Sequence, residues 1–273
     1  MERRAFLVSS LKASLLAYLG SVAKGSAASP RGGQAPLRNQ DAWENPLSAY
    51  LESYRPPRGK VTPERPQTFT YDIVSWSTEK GRRGAANTAI GSLIVTRTGD
   101  GENTRFDYRQ EAEGGLRLEG FCRCSAEPIP VVRDWECRAC PQQAPSSVRE
   151  LTTCTERGTV TDRRVRLRCG DTETEQVLQG PLLSRFSLLS LPGLAAVMAE
   201  RRDPVCVLDE PSMIRYEQVF RRDSASAVPA FGPVRSWMQT GPGSLPTHWV
   251  TDEEGRPLFV TVFLLSLVLV DIS

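Results

Sequence analysis

The chain of 273 residues reads as a mainly β protein of the α+β class, on three observations. From Thr68 onward apolar residues recur at every second position, as Phe69, Tyr71 and Ile73 do around Thr70 and Asp72. Turn signals at Thr98-Gly99-Asp100-Gly101 and Glu113-Gly114-Gly115 separate the alternating runs, the pattern of an antiparallel meander with one wet face. Helical periodicity over any length is confined to a stretch near residues 182–202, so helices are few.

Residues 1–28 divide as an export signal does: basic residues up to Lys12, an apolar run from Ala13 to Ala23, and small residues around Ala28 where a peptidase cuts. The run is too short for a bilayer, which needs about 20 residues. The series Arg3-Arg4-x-Phe6-Leu7 resembles the bacterial twin-arginine motif, which makes Arg3, Arg4, Phe6 and Leu7 the signal residues. An ordinary Sec signal and a Ser-rich, acid-poor mitochondrial transit peptide are the competing readings. The expectation is a periplasmic or secreted protein that meets the twin-arginine or Sec machinery and keeps no transmembrane anchor when mature. Cleavage near Ala28 removes Arg3, Arg4, Lys12 and Lys24 against Glu2, taking the net charge from +2 to about −1. A chain so near neutrality lacks the basic footprint of a nucleic-acid binder and of a protein captured on anionic lipid.

Residues 29–67 follow as a flexible tether with one short helix. Asn45 caps that helix, Pro46 fits its first turn, Leu47, Tyr50, Leu51 and Tyr54 share one face, and Pro56-Pro57 stops it. Residues 68–273 are expected to be a single β-rich domain. After Phe69–Ile73 come strands at Ala89–Arg97, around Phe106 and Tyr108, and from Leu116. A cysteine-rich insertion is expected over about 121–180, with strands near 150–155 and 159–168; it holds six of the seven cysteines. The helical stretch breaks at Pro192-Gly193 and ends at Asp203-Pro204. Strands resume at Val205–Leu208, Ile214–Phe220 and Val234–Met238. The closing hairpin runs His248–Thr251, turn Asp252-Glu253-Glu254-Gly255, then Arg256–Thr261. The apolar run Leu258–Val270 is a buried strand or a bent pair of strands, too short for a membrane span.

A meander opening on Tyr71-Asp72-Ile73, with Ile90-Gly91 heading its second strand, helices in the middle and a closing Trp-Val-x-Asp-x-x-Gly-Arg-Pro-Leu hairpin, resembles uncharacterised bacterial envelope proteins with a lipoprotein-carrier-like half-barrel. The resemblance covers roughly 68–121 and 182–271. It implies a curved antiparallel sheet wrapped around helices and an apolar concavity. The expected function is therefore non-catalytic: binding an apolar or amphipathic ligand, or an envelope partner, in that concavity, with Phe186, Leu188, Leu189 and Leu191 as candidate wall residues.

The alternative function is an exported metalloprotein. Cys122-x-Cys124 and Cys137-x-x-Cys140 have metal-ligand spacing, and four thiolates converging from adjacent strands would hold zinc or iron. Disulfides are the other reading of the same cysteines, with no cofactor, as an oxidising compartment favours. Cys169 can pair with Cys154 across a hairpin, and Cys206 is the remote, odd thiol. His248, the one histidine, could serve as a general base oriented by Asp252 or Glu253, although its place on a strand beside Trp249 suits a structural role. Neither a nucleophile elbow nor a phosphate loop is present, so the balance leans away from an enzyme. Arg164, Arg166 and Arg168 form a basic row on one strand face, either a seat for an anionic partner or the solvated side of an edge.

Overall fold

The alternation of Phe69, Tyr71 and Ile73 becomes the inner face of β1 (Gln67–Ser75), and from it the whole sheet is built. The computed structural model describes residues 53–62, 65–75, 89–99, 103–112, 116–125, 129–141, 153–209, 213–222, 233–262 and 265–273. The expected export signal and all but the end of the expected first helix lie outside the described residues.

The strands are β1, β2 (Ala89–Gly99), β3 (Asn103–Ala112), β4 (Leu116–Ser125), β5 (Val132–Pro141), β6 (Cys154–Thr161), β7 (Arg164–Cys169), β8 (Thr172–Val177), β9 (Leu182–Ser184), β10 (Val205–Asp209), β11 (Met213–Arg222), β12 (Arg235–Thr240), β13 (Thr247–Thr251), β14 (Pro257–Val262) and β15 (Leu265–Ile272). They form one sheet that runs from β8 back through its sequence neighbours to β1, crosses to β15, and descends to β9. Pairing is antiparallel throughout except β9 with β10, which is parallel. The first and last strands thus zip together mid-sheet, and Thr68 and Ser273 exchange two backbone hydrogen bonds of 2.7 and 3.0 Å. The sheet is open and curved, as the half-barrel expectation requires. Its curl carries β8 round to β11, where the Tyr216 hydroxyl donates to the Gln176 carboxamide oxygen.

The cysteine-rich stretch is not set apart. Its described residues continue the same meander as the end of β4 through β8, because Cys122, Cys124, Trp135, Cys137 and Ala139 keep the inward alternation in register. The helical stretch is broken as its Pro192-Gly193 pair predicts, into α1 (Arg185–Ser190) and α2 (Leu194–Glu200). Its first three residues instead form β9, where parallel pairing with β10 overrides local propensity. The Leu258–Val270 run resolves into the two strands β14 and β15.

The helices fill the hollow of the sheet. Phe186, Leu188, Leu189, Leu194, Ala195 and Met198 are all buried, with Phe186 stacked on Tyr108 at 4.1 Å between ring centroids. Such a stacked pair adds roughly 0.5–1.5 kcal/mol to what burial alone supplies. Burying a helix that carries two serines and a serine cap demands that each hydroxyl find a partner. Ser184 caps α1 by accepting from the Phe186 N–H at 3.2 Å, Ser187 donates to the Ser184 carbonyl at 2.7 Å, and Ser190 donates to the Phe186 carbonyl at 2.6 Å.

Three long-range links hold α1 and α2 to the wall. The buried Tyr71 hydroxyl donates to the Leu189 carbonyl at 2.7 Å, and the buried Arg97 guanidinium donates to the Ser190 carbonyl at 2.8 Å and to the Thr62 carbonyl at 2.6 Å. The third comes from the closing hairpin. Asp252 accepts from the Arg256 backbone at 2.8 Å and from its guanidinium at 2.7 Å, and that guanidinium also donates to the Pro57 and Gly59 carbonyls, each at 2.8 Å. The turn so fixed presents the Gly255 carbonyl to the Gly193 N–H at 2.8 Å, at the start of α2. Gly255 sits at φ 81°, and a Cβ there would lie 2.6 Å from the Gly193 nitrogen, so the Asp-x-x-Gly-Arg series needs its glycine twice over.

Candidate functional site

The concavity expected to take a ligand is occupied by the protein itself. Phe186, Leu188 and Leu189, the expected wall residues, are between 0 and 1% exposed and pack as core, and Leu191 packs against them half-buried. This corrects the expectation: the apolar helix faces close the hollow and do not line one.

The cysteines divide between the two sheet faces. Cys122 and Cys124, two apart on β4, both point inward with their sulfurs 3.7 Å apart. Cys137 lies opposite Gly120, one diagonal step from Cys122 on the same inner face. Cys140 lies opposite Arg117 on the outer face. A Cys-x-x-Cys spacing that brings two sulfurs together on a turn sends them to opposite sides on a strand, so the register does not bring Cys122, Cys124, Cys137 and Cys140 into one tetrahedral set. Among the described residues no group of three or more His, Cys, Asp or Glu side chains is arranged to hold a metal ion. None of the cysteines is joined in a disulfide, and Cys206 is buried on β10 away from the others. Cys154 and Cys169 do meet, their sulfurs 2.9 Å apart.

His248 is exposed on β13, and its expected orienting residue Asp252 is taken up by Arg256. The basic row on β7 finds its anions within the chain: Arg164 pairs with Glu175 at 2.5 Å, Arg166 with Glu173 at 3.2 Å, and Arg168 donates to the Gly170 carbonyl. The same holds over the outer face of β3 to β6, where Arg105–Asp107, Arg109–Glu111, Arg117–Glu119, Arg123–Asp134 and Arg157–Glu136 are ion pairs. Exposed pairs of this kind stabilise little, about 0–1 kcal/mol each, but they leave no basic stripe.

The feature that sequence reasoning missed is a cleft of about 260 Å³ at one end of the sheet. Its walls come from three places: Ser125 and Val131–Arg133 at the β4–β5 end, Val160, Asp162 and Arg163 at the β6–β7 turn, and Leu178 with Gly180–Leu182 in the link from β8 to β9. Val132, Leu178 and Leu182 supply an apolar floor, and Arg133, Arg163 and Asp162 stand exposed on the rim. Neither Arg133 nor Arg163 forms an ion pair with any described residue, in contrast to the paired arginines of the outer face.

The β6–β7 turn holds Asp162 at φ 49° and Arg163 at φ 62°. A two-residue hairpin loop in this left-handed geometry is the natural place for Asn-Gly, because a side-chained residue there costs about 1–2 kcal/mol. The Arg163 carbonyl accepts from the Leu178 N–H at 2.7 Å, which ties the turn to the opposite wall of the cleft. On the third wall, Ser125 and Val131 exchange hydrogen bonds of 2.9 and 3.0 Å. No signal in the sequence marks the cleft, since its segments meet only when the sheet curls.

No family model matches the chain, and no curated protein matches it. Among solved structures, the crystal structure of a beta-barrel-like protein of domain of unknown function DUF1849 from Brucella abortus is similar over 76% of this chain and 97% of that chain, at 12% sequence identity and a TM-score of 0.46.

Proposed function

We propose that the protein is an exported, non-catalytic binding protein of the bacterial envelope, and that it takes a small amphipathic anion in the cleft between the β6–β7 turn and the β8–β9 link. One observation carries the reading: Arg163 is held on the cleft rim in a left-handed backbone that glycine would occupy without strain. Strain retained at an exposed turn is an outlier that calls for a functional reason. The chemistry of the walls names the ligand class. Val132, Leu178 and Leu182 suit a short alkyl or acyl segment, while Arg133 and Arg163, offset by the single acid Asp162, suit a carboxylate or phosphate head. The volume lies below the ~300–1,000 Å³ of pockets for drug-sized ligands, which favours one short chain over a whole lipid.

The test uses decanoate titrated into the full chain by calorimetry, beside decanol and a double variant, Arg133→Glu with Arg163→Glu. Saturable decanoate binding is expected, weaker by roughly tenfold or more in the double variant and weaker for decanol. Equal affinity of both proteins for decanoate, or binding that does not saturate, would rule the cleft out as the binding place.

A further inference from the structure

Cys154 and Cys169 lie on neighbouring strands with their sulfurs in contact, and Cys137, opposite Glu156 on the other side, is also one diagonal step from Cys154. Cys154 opens β6 and Cys169 closes β7. The antiparallel register sets Cys169 opposite Glu156, so Cys154 lies one diagonal step away on the same face, and the two sulfurs approach to 2.9 Å. Cys122, Cys124, Cys137 and Cys206 are buried among apolar neighbours, whereas Cys169 is exposed and Cys154, like Cys140, is half-buried.

Around this pair the sheet has little core to hold it. All six residues of β8 are exposed, as are four of the six in β7. Strands wet on both faces gain little from burial and open locally at low cost. A covalent cross-link at the open end of the β6–β7 hairpin would supply what packing does not.

We infer that Cys154 and Cys169 are the disulfide-forming pair of this chain, oxidised by exchange with a disulfide carrier, with the exposed Cys169 as the entry thiol and Cys154 as the resolving thiol. The Cys169 thiolate attacks one sulfur of the carrier disulfide; that bond breaks, a mixed disulfide forms on Cys169, and one carrier thiolate leaves. Cys154 then gives its proton to solvent, and its thiolate attacks the Cys169 sulfur. The Cys154–Cys169 bond forms as the mixed disulfide breaks, and the second carrier thiolate departs. Two electrons and two protons have passed from the protein to the carrier, which ends as two thiols.

The two steps differ in speed. Burial first, then the adjoining Cys169 sulfur and the Glu156 carboxylate, push the Cys154 thiol up to about 12. Burial keeps its thiolate scarce near neutrality, so ring closure is the slow step and quickens as the pH rises. The inference stands on the geometry of the pair and is independent of the ligand assigned to the cleft.

Oxidised glutathione serves as the carrier in the test. The full chain is reduced, freed of reductant, exposed to oxidised glutathione, quenched with iodoacetamide and digested with trypsin, which cuts after Arg157 and Arg168 and so releases Cys154 and Cys169 on separate peptides. Mass spectrometry is expected to find those two peptides cross-linked, with Cys122, Cys124, Cys137 and Cys206 alkylated after unfolding. In Cys154→Ser the cross-link vanishes and glutathione remains on Cys169; in Cys206→Ser the cross-link persists. Separate recovery of Cys154 and Cys169 as alkylated thiols at excess oxidant, or a bond from either one to Cys137 or Cys140, overturns the inference. So does a Cys169→Ser protein that accumulates glutathione on Cys154 beside a Cys154→Ser protein that takes none on Cys169.

Discussion

The two edges of the sheet meet the same hazard by opposite means. An edge strand offers unpaired backbone groups to any passing chain, and it must be covered or made unattractive. At one edge β9 is three residues long, fully buried, and sealed by parallel pairing with β10 and by α1, whose Arg185 is tied to Asp209 at 2.9 Å. At the other edge β8 exposes every residue and is dressed with glutamates paired to the arginines of β7. One wing of the molecule is therefore held by core, the other by surface charge and, as inferred above, a cross-link. The contrast teaches where function can sit: the buried wing has no room left, and the cleft opens where the wet wing turns back toward it.

The largest effect in this comparison is expected inside the hollow. Phe186→Ala removes the ring stacked on Tyr108 and leaves a cavity that the surrounding strands cannot close, lowering stability by about 3–5 kcal/mol in urea unfolding. Val177→Thr, on the exposed edge strand, is expected to change it by less than about 0.5 kcal/mol. Comparable losses at the two sites would erase the distinction between the wings.

Next comes the clamp of the closing hairpin. Arg256→Ala withdraws the partner of the half-buried Asp252 and frees the Pro57 and Gly59 carbonyls, for a loss of about 2–3 kcal/mol by the same measurement. Asp252→Ala is expected to match it, and the double variant to lose little more than either alone.

A pH test separates the wings by a different route. Burial pushes the Tyr71 hydroxyl far above its ordinary value, so the folded state keeps a proton that the unfolded chain releases near pH 10. The stabilising contribution is whole below that pH and is lost as the pH rises past it. Tyr71→Phe is expected to be less stable than the parent by about 1–2 kcal/mol near pH 8, through the unsatisfied Leu189 carbonyl, with the gap narrowing by about pH 11. A gap constant with pH would mean that the hydroxyl ionises without penalty.

The last change is a gain. Arg163→Gly relieves the left-handed strain at the β6–β7 turn and is expected to raise stability by about 1 kcal/mol while weakening decanoate binding, a trade of stability against function.

These contrasts also explain what was legible in the sequence. The closing hairpin could be read because Asp252, Gly255 and Arg256 make a turn by local chemistry alone. The break between α1 and α2 was equally plain from Pro192-Gly193. Strand β8, Thr-Glu-Thr-Glu-Gln-Val, gave no signal because alternation appears only when one face is buried. In β5 the alternation was present in Trp135, Cys137 and Ala139, yet cysteine spacing drew attention to metal chemistry and away from the period of two. The arginine row was visible but its glutamate partners were not, since pairing depends on the unread β8. The cleft lies furthest from sequence reasoning, because residues near 131, 162 and 180 meet through curvature, and single-sequence patterns carry no record of it.

Hydrogen–deuterium exchange on the full chain with and without decanoate tests most directly whether the hollow is closed and the binding place lies outside it. The account predicts added protection in the segments covering residues 131–133, 160–163 and 178–182, and none across α1 and α2. Protection concentrated on α1 and α2 would mean that the helices give way to admit ligand, and it would contradict the account.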